Sequence, residues 1–119
     1  MAVLKKSAGT VVASDVELAD TVLKKTTGVM FRRHLSPGFA MIFDMGMETR
    51  AGIAIHMMFV FVPIDVVYLD DRRTIVDIKR RVRPWIGLAY PRRRARYAIE
   101  MPAGAAAEHE LKEGDRLEW

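Results

Sequence analysis

The stretch Asp65-Val66-Val67-Tyr68-Leu69, Asp70-Asp71-Arg72, Thr74-Ile75-Val76-Asp77-Ile78-Lys79-Arg80-Arg81-Val82 decides the fold class. A short β-branched run, a polar turn and a second run of period two read as an antiparallel hairpin. Val76, Ile78 and Val82 fall on the inner face, while Asp77, Lys79, Arg81 and Arg83 point the other way. Arg80 falls in the inner register, so the strand either bulges there or leaves the core at that end. Further strands are expected at Phe39 to Phe43 and at Arg96 to Met101. Arg116 to Trp119 closes the chain, and Lys5-Lys6-Ser7-Ala8-Gly9 reads as the turn of an N-terminal hairpin. Ile53 to Val62 is β-branched and aromatic without helical spacing, which predicts a strand buried on both faces at the centre of the sheet. Asp44 to Arg50 and Pro84 to Pro91 read as loops, and Arg92-Arg93-Arg94 as a solvated tip. Helical spacing from Val16 through Leu18, Val22 and Leu23 predicts a helix, capped by Ser14 or Asp20, that stops or bends at Gly28. Met30 to Leu35 is a second short turn, and Ala103 to Glu110 predicts a short Ala-rich helix. The expected architecture is mainly β (α+β): a compact antiparallel β-barrel or sandwich with two or three short helices, forming one domain over residues 1–119.

Composition agrees with a folded chain. Half of the 119 residues are hydrophobic and 29% are charged, unlike disordered segments. There is no cysteine, which removes disulfides, thiolate metal sites and cysteine nucleophiles. No signal peptide is visible, and the longest apolar stretch is far short of the roughly 20 residues of a spanning helix. A cytoplasmic monomer without membrane contact is the expectation.

Charge is unevenly placed. Residues 72–96 hold ten Lys and Arg against one acid, Asp77, a local +9 in a chain of net +4. Such a stripe is an electrostatic footprint for RNA or another polyanion. Trp85 and Tyr90 lie among Arg80, Arg81, Arg83, Arg92, Arg93 and Arg94, and exposed rings beside cations can stack bases. The bland alternatives are strand-edge protection and a surface charge network suited to heat. His56 interrupts an apolar run, and a pocket it shared with Asp65, which begins the following strand, would pair a His with a carboxylate suited to acid–base work. The competing reading is a core histidine bonded to the backbone or to that Asp. His34 and His109 lack ligand-spaced partners, so no metal site is expected. The eight methionines are core filler before they are soft-metal ligands. No nucleophile elbow or phosphate loop occurs, and no cofactor is expected.

Several elements match a known pattern in order and spacing. Gly28-Val29-Met30-Phe31-Arg32-Arg33 is similar to a "GLMFR" signature, and Gly38-Phe39-Ala40-Met41-Ile42-Phe43 to its following element. Ile55 to Asp70 resembles an archaeal form of the next. Tyr97-Ala98-Ile99-Glu100-Met101-Pro102-Ala103-Gly104 and Gly114-Asp115 resemble the closing ones. From about residue 10 onward the chain thus resembles the family known as domain of unknown function 192. That resemblance implies a compact β-rich domain and carries no activity. Where this chain has Ile55-His56-Met57-Met58, bacterial members often have Trp-Met-Lys-Asn, so no role tied to that Trp or Lys transfers. Bacterial members are often exported. The family turn that often carries Asp-Gly is Asp71-Arg72 here, and the arginines at 92–94 are no family signature.

Three functional readings follow. The first is a non-catalytic ligand- or partner-binding module with a pocket at Arg32, Met41, His56, Met58, Asp65 and Glu100. In its structural alternative, Arg32 and Glu100 form one ion pair that ties helix to strand. The second is nucleic-acid binding through the basic stripe. The third is an enzyme using His56 and Asp65.

Overall fold

The computed structural model describes residues 3–21, 25, 27–50 and 53–119. The strands are β1 (Leu4–Lys6), β2 (Val11–Ala13), β3 (Asp15–Leu18), β4 (Phe39–Thr49), β5 (Ile55–His56), β6 (Ile64–Leu69), β7 (Ile75–Val82), β8 (Leu88–Ala89), β9 (Ala95–Pro102) and β10 (Leu117–Glu118). Helix α1 (Ala105–Glu108) follows β9. A five-stranded sheet runs in the order β3-β4-β9-β6-β7, a three-stranded sheet in the order β10-β1-β2, and β5 pairs with β8 alone. The architecture is mainly β and sandwich-like rather than a closed barrel. No helix among the described residues is long and apolar enough to cross a membrane.

Alternation builds the two layers. In β4, Ala40 and Ile42 face one cluster, while Phe39, Met41 and Phe43 face the other. In β9, Tyr97, Ile99 and Met101 join the first cluster and Ala98 the second. The first face is closed by the three-stranded sheet and α1, through Leu4, Val12, Ala106 and Leu117. The second is covered by the segments around Val29, Ile53, Met57, Val60 and Ala89. Glu100 shares the parity of Ala98, so β9 carries a carboxyl toward the second layer.

The hairpin of β6 and β7 forms, and of the two readings of Arg80 the bulge holds, but the expected faces do not. Val76 lies in the second cluster, Ile78 packs against the first, and Asp77, expected outside, is buried, because a further register shift between Tyr68 and Leu69 breaks the alternation. Ile64 pairs with Val82 but Val66 pairs with Lys79, so one extra residue is accommodated at 80–81. Arg81 there has φ +51°.

Further expectations fail. Leu88 and Ala89, inside the expected loop 84–91, form strand β8. Residues 53–62 are not a central strand: only Ile55 and His56 pair, with Ala89 and Leu88. Met57 and Val60 are buried while Met58 and Phe59 are exposed, which is the pattern of an irregular cover laid on a sheet face. The central strand is β9 instead, with β4 and β6 beside it. Residues 44–49 are not a loop, since β4 runs on to Thr49 past a register shift. The segment after Val16 does not begin as a helix. Residues 15–18 form an edge strand parallel to β4, with Asp15 opposite Phe39 and Leu18 opposite Ile42. A helical bond follows, from the Lys25 N–H to the Thr21 carbonyl at 2.9 Å. Val22 and Leu23, the stripe that suggested the helix, lie outside the described residues.

Candidate functional site

Glu100 sits on the central strand, with Met41 of β4 and Val66 of β6 as its lateral neighbours. It is 3% exposed. Its Oε1 has no hydrogen-bond partner among the described residues. Burial pushes the carboxyl up to about 7, partly offset by the Val29 N–H and by the charge of Arg32. A group of this kind is costly to bury and marks a candidate site.

The carboxyl forms part of the wall of a cavity of about 70 Å³, lined also by Lys25, Thr27, Phe43, His56 and Val60. That is room for a few waters or one small polar head group. Lys25 and His56 are exposed, while Phe43, Val60 and Glu100 are buried. The cavity therefore grades from a polar rim to an apolar wall carrying one carboxyl.

Gly28 explains itself here. Its φ is +51°, and a Cβ at this position would lie 2.8 Å from Glu100 Oε1 and 3.2 Å from Phe43 Cζ. Only glycine lets the chain close over the carboxyl. Sequence reasoning assigned Gly28 to the end of a helix and missed this contact. It also missed Tyr68, whose hydroxyl is, among the described residues, the other buried side-chain polar atom without a partner. Tyr68 has the parity of Val66 on β6, hence the face of Glu100. Its phenol is driven up by burial and by the neighbouring Glu100 and Asp77. The alternation along β6 was the available signal, since it separates Tyr68 from Val67 and Leu69.

The six residues of the expected pocket are only partly gathered. Glu100 and His56 line the cavity. Met41 is fully buried beside Glu100 in the sheet. Met58 is 55% exposed and does not line it. Asp65 has the opposite parity and faces the first layer. Its Oδ1 accepts the Arg81 N–H at 2.9 Å, and its Oδ2 accepts those of Gly104 and Ala106 at 3.1 and 2.9 Å. It is a backbone clamp, and no hydrogen bond among the described residues joins it to His56. His56 itself is exposed on β5 rather than set in the core. The ion pair expected between Arg32 and Glu100 is not formed. Arg32 instead grips Glu17 in a fork at 2.6 and 3.0 Å and lies 5.2 Å from the Phe39 ring centroid. A guanidinium takes the partner that offers both oxygens in plane.

The basic stripe divides into used and unused cations. Asp77 is buried and holds Lys79 at 3.0 Å and Arg92 at 3.4 Å. Burial works against its charge, but the Arg92 N–H and Lys79 hold its carboxyl below the usual range. Arg92 also bonds Glu113, Arg80 bonds the Leu111 carbonyl, and Arg96 bonds Asp44. Arg81, Arg83, Arg93 and Arg94 have no carboxylate at ion-pair distance among the described residues and are exposed. Trp85 and Tyr90 are 46% and 54% exposed. Among the described residues no cluster of His, Asp and Glu is arranged for a metal.

Comparison with known proteins places the chain in a family. A UPF0127 protein of Pyrococcus abyssi is 39% identical over 104 residues, covering 87% of this chain and 85% of the relative. Two crystal structures superpose with a TM-score of 0.84. One, from Sinorhizobium meliloti 1021, is 27% identical and covers 98% of this chain and 89% of that one. The other, a protein of unknown function from Novosphingobium aromaticivorans DSM 12444, is 24% identical and covers 98% and 82%. Residues 3–119 match the family DUF192, described as an "Uncharacterized ACR". With that match and that fold, the chain belongs to DUF192.

Proposed function

We propose that this protein is a small cytoplasmic ligand-binding module, acting without catalysis, whose site is the cavity at Glu100. The observation that carries the reading is the buried carboxyl with an unpartnered oxygen on a cavity wall. Its location supports it further: residues from four family-like elements, Gly28, Phe43, His56 and Glu100, meet at this one place. A ligand that gives an N–H to Glu100 Oε1 satisfies the orphan oxygen, so small amines, amidines and amides are the class to test. Thermal melts with methylamine, acetamidine and acetamide are the experiment. A ligand at a hundredfold excess over Kd should stabilise by about 2.7 kcal/mol, or raise Tm by roughly 10 °C. Glu100→Gln should abolish the shift. No shift with any probe, or the same shift in Glu100→Gln, would sink the reading.

A second reading is polyanion binding by the stripe, favoured by the guanidinium groups of Arg81, Arg83, Arg93 and Arg94 having no carboxylate at ion-pair distance among the described residues. Binding to single-stranded RNA should weaken steeply with salt and be lost on reversing the charges of Arg93 and Arg94. Absence of binding at low salt would reduce these arginines to a solvated surface.

A further inference from the structure

Among the described residues three aromatic ones have left-handed backbone: Phe31 at φ +67°, Phe59 at +61° and Trp85 at +66°. Such φ values are outliers for aromatic residues and gather where function needs a fixed geometry. All three are exposed, at 61%, 39% and 46%. They meet: Phe31 stacks on Phe59 at 5.2 Å, and Phe59 meets Trp85 edge-on at 5.3 Å. Backbone bonds lock them, from the Phe31 N–H to the Phe59 carbonyl at 2.8 Å and from the Trp85 N–H to the Met57 carbonyl at 2.9 Å. Trp85 rides a turn closed by the Gly87 N–H on the Arg83 carbonyl, where a Cβ on residue 87 would lie 2.6 Å from that oxygen. The three segments that build this cluster, residues 28–38, 53–63 and 80–96, contain no Asp or Glu.

Cations stand close to the rings, and exposed Met58 and Ile86 adjoin them in sequence. The Arg33 guanidinium lies 4.8 Å from the Phe61 ring centroid, and exposed Arg83 precedes Trp85. Farther along, Leu88 and Tyr90 lie in a groove with Arg50, Lys79 and Arg92. A second copy of the chain would set cation against cation here. A membrane calls for an apolar face with charge at its rim. A chain that carries both flat rings and anions matches exposed rings set in acid-free segments, two of which carry arginines.

We propose that the aromatic cluster of Phe31, Phe59 and Trp85, continued by Tyr90 and flanked by Arg33 and Arg83, is a stacking track for single-stranded nucleic acid. This rests on the polyanion reading and narrows it: the arginines hold the backbone, and the rings select unpaired bases. The test is fluorescence anisotropy with single-stranded RNA and DNA oligonucleotides, duplex DNA and inorganic polyphosphate, beside flotation with phosphatidylserine vesicles. Single strands should bind more tightly than duplex or polyphosphate. Phe31→Ala and Tyr90→Ala should each weaken single-strand binding about tenfold and leave polyphosphate binding unchanged. Phe31→Trp should retain it, which guards against a folding defect. If polyphosphate binds as well as RNA and the alanine variants change neither, the stacking track is wrong while the polyanion reading stands. If no polyanion binds, both fall. Vesicle binding without oligonucleotide binding overturns the proposal in favour of a lipid surface.

Discussion

Raising the pH from about 4.5 to above about 7 should remove about 3 kcal/mol of folding stability through Glu100 alone, and Glu100→Gln should lack that loss. The carboxyl lies near 4.5 in the unfolded chain and near 7 in the fold. The folded state therefore holds its proton more tightly. Stability from this group is complete below the unfolded value and lost as pH rises through the folded one. Burial is the main cause; the Val29 N–H and Arg32 favour the charged form but do not outweigh it. Lys25 and His56 line the same cavity, and Tyr68 faces the same layer. The variant isolates Glu100, because Gln retains an oxygen for the Val29 N–H and carries no charge. Asp44 and Asp77 act with the opposite sign, since their carboxyls are held low and their contribution fades as pH falls. Urea unfolding of both proteins across this range gives the difference directly. Parallel curves for wild type and Glu100→Gln would show that the carboxyl is not isolated as described.

Asp65→Ala should cost about 4 kcal/mol, a large part of the stability of a domain this size. The carboxylate is 1% exposed and accepts three backbone N–H groups. Those donors are irregular for a reason. Arg81 sits in the β-bulge with φ +51°, and Gly104 has φ +93° at the start of α1. Neither can pass its N–H to a regular ladder or helix, so each depends on a side chain. Each donor left without an acceptor costs roughly 1–3 kcal/mol. Asp65→Asn should fall between, because one of its two acceptors becomes an N–H facing another N–H. Denaturant midpoints measure both variants. A loss below about 1 kcal/mol in Asp65→Ala would mean that water replaces the carboxylate.

Neither carboxyl could be assigned its role from spacing. Asp65 and His56 look like partners because His56 lies inside the apolar run 53–64 and Asp65 follows it. The parity of β6 and the pairing of β5 with β8 send them to different places. Residues 53–62 show the same limit. An unbroken apolar run satisfies a strand buried on two sides, and equally a cover that buries alternate turns against one sheet face. Arg32 and Glu100 are each candidates for an ion pair, yet Glu17 arrives on a parallel edge strand that its helix-like spacing concealed.

What the sequence determined by itself was local. Period-two runs bounded by polar turns identified β6, β7 and β9 and the N-terminal hairpin, and left a bulge at Arg80 as one of two readings. Those signals depend on neighbours a few residues away. The motifs Gly28 to Arg33 and Tyr97 to Gly104 also identified the family. Only the tertiary structure decided which strand is central, which acids have partners, and that Phe31, Phe59 and Trp85 meet. Isolation of a carboxyl and contact between rings are properties of what lies across the sheet or in the adjoining loop. The residues that decide them are up to about seventy positions apart, beyond the reach of any periodicity.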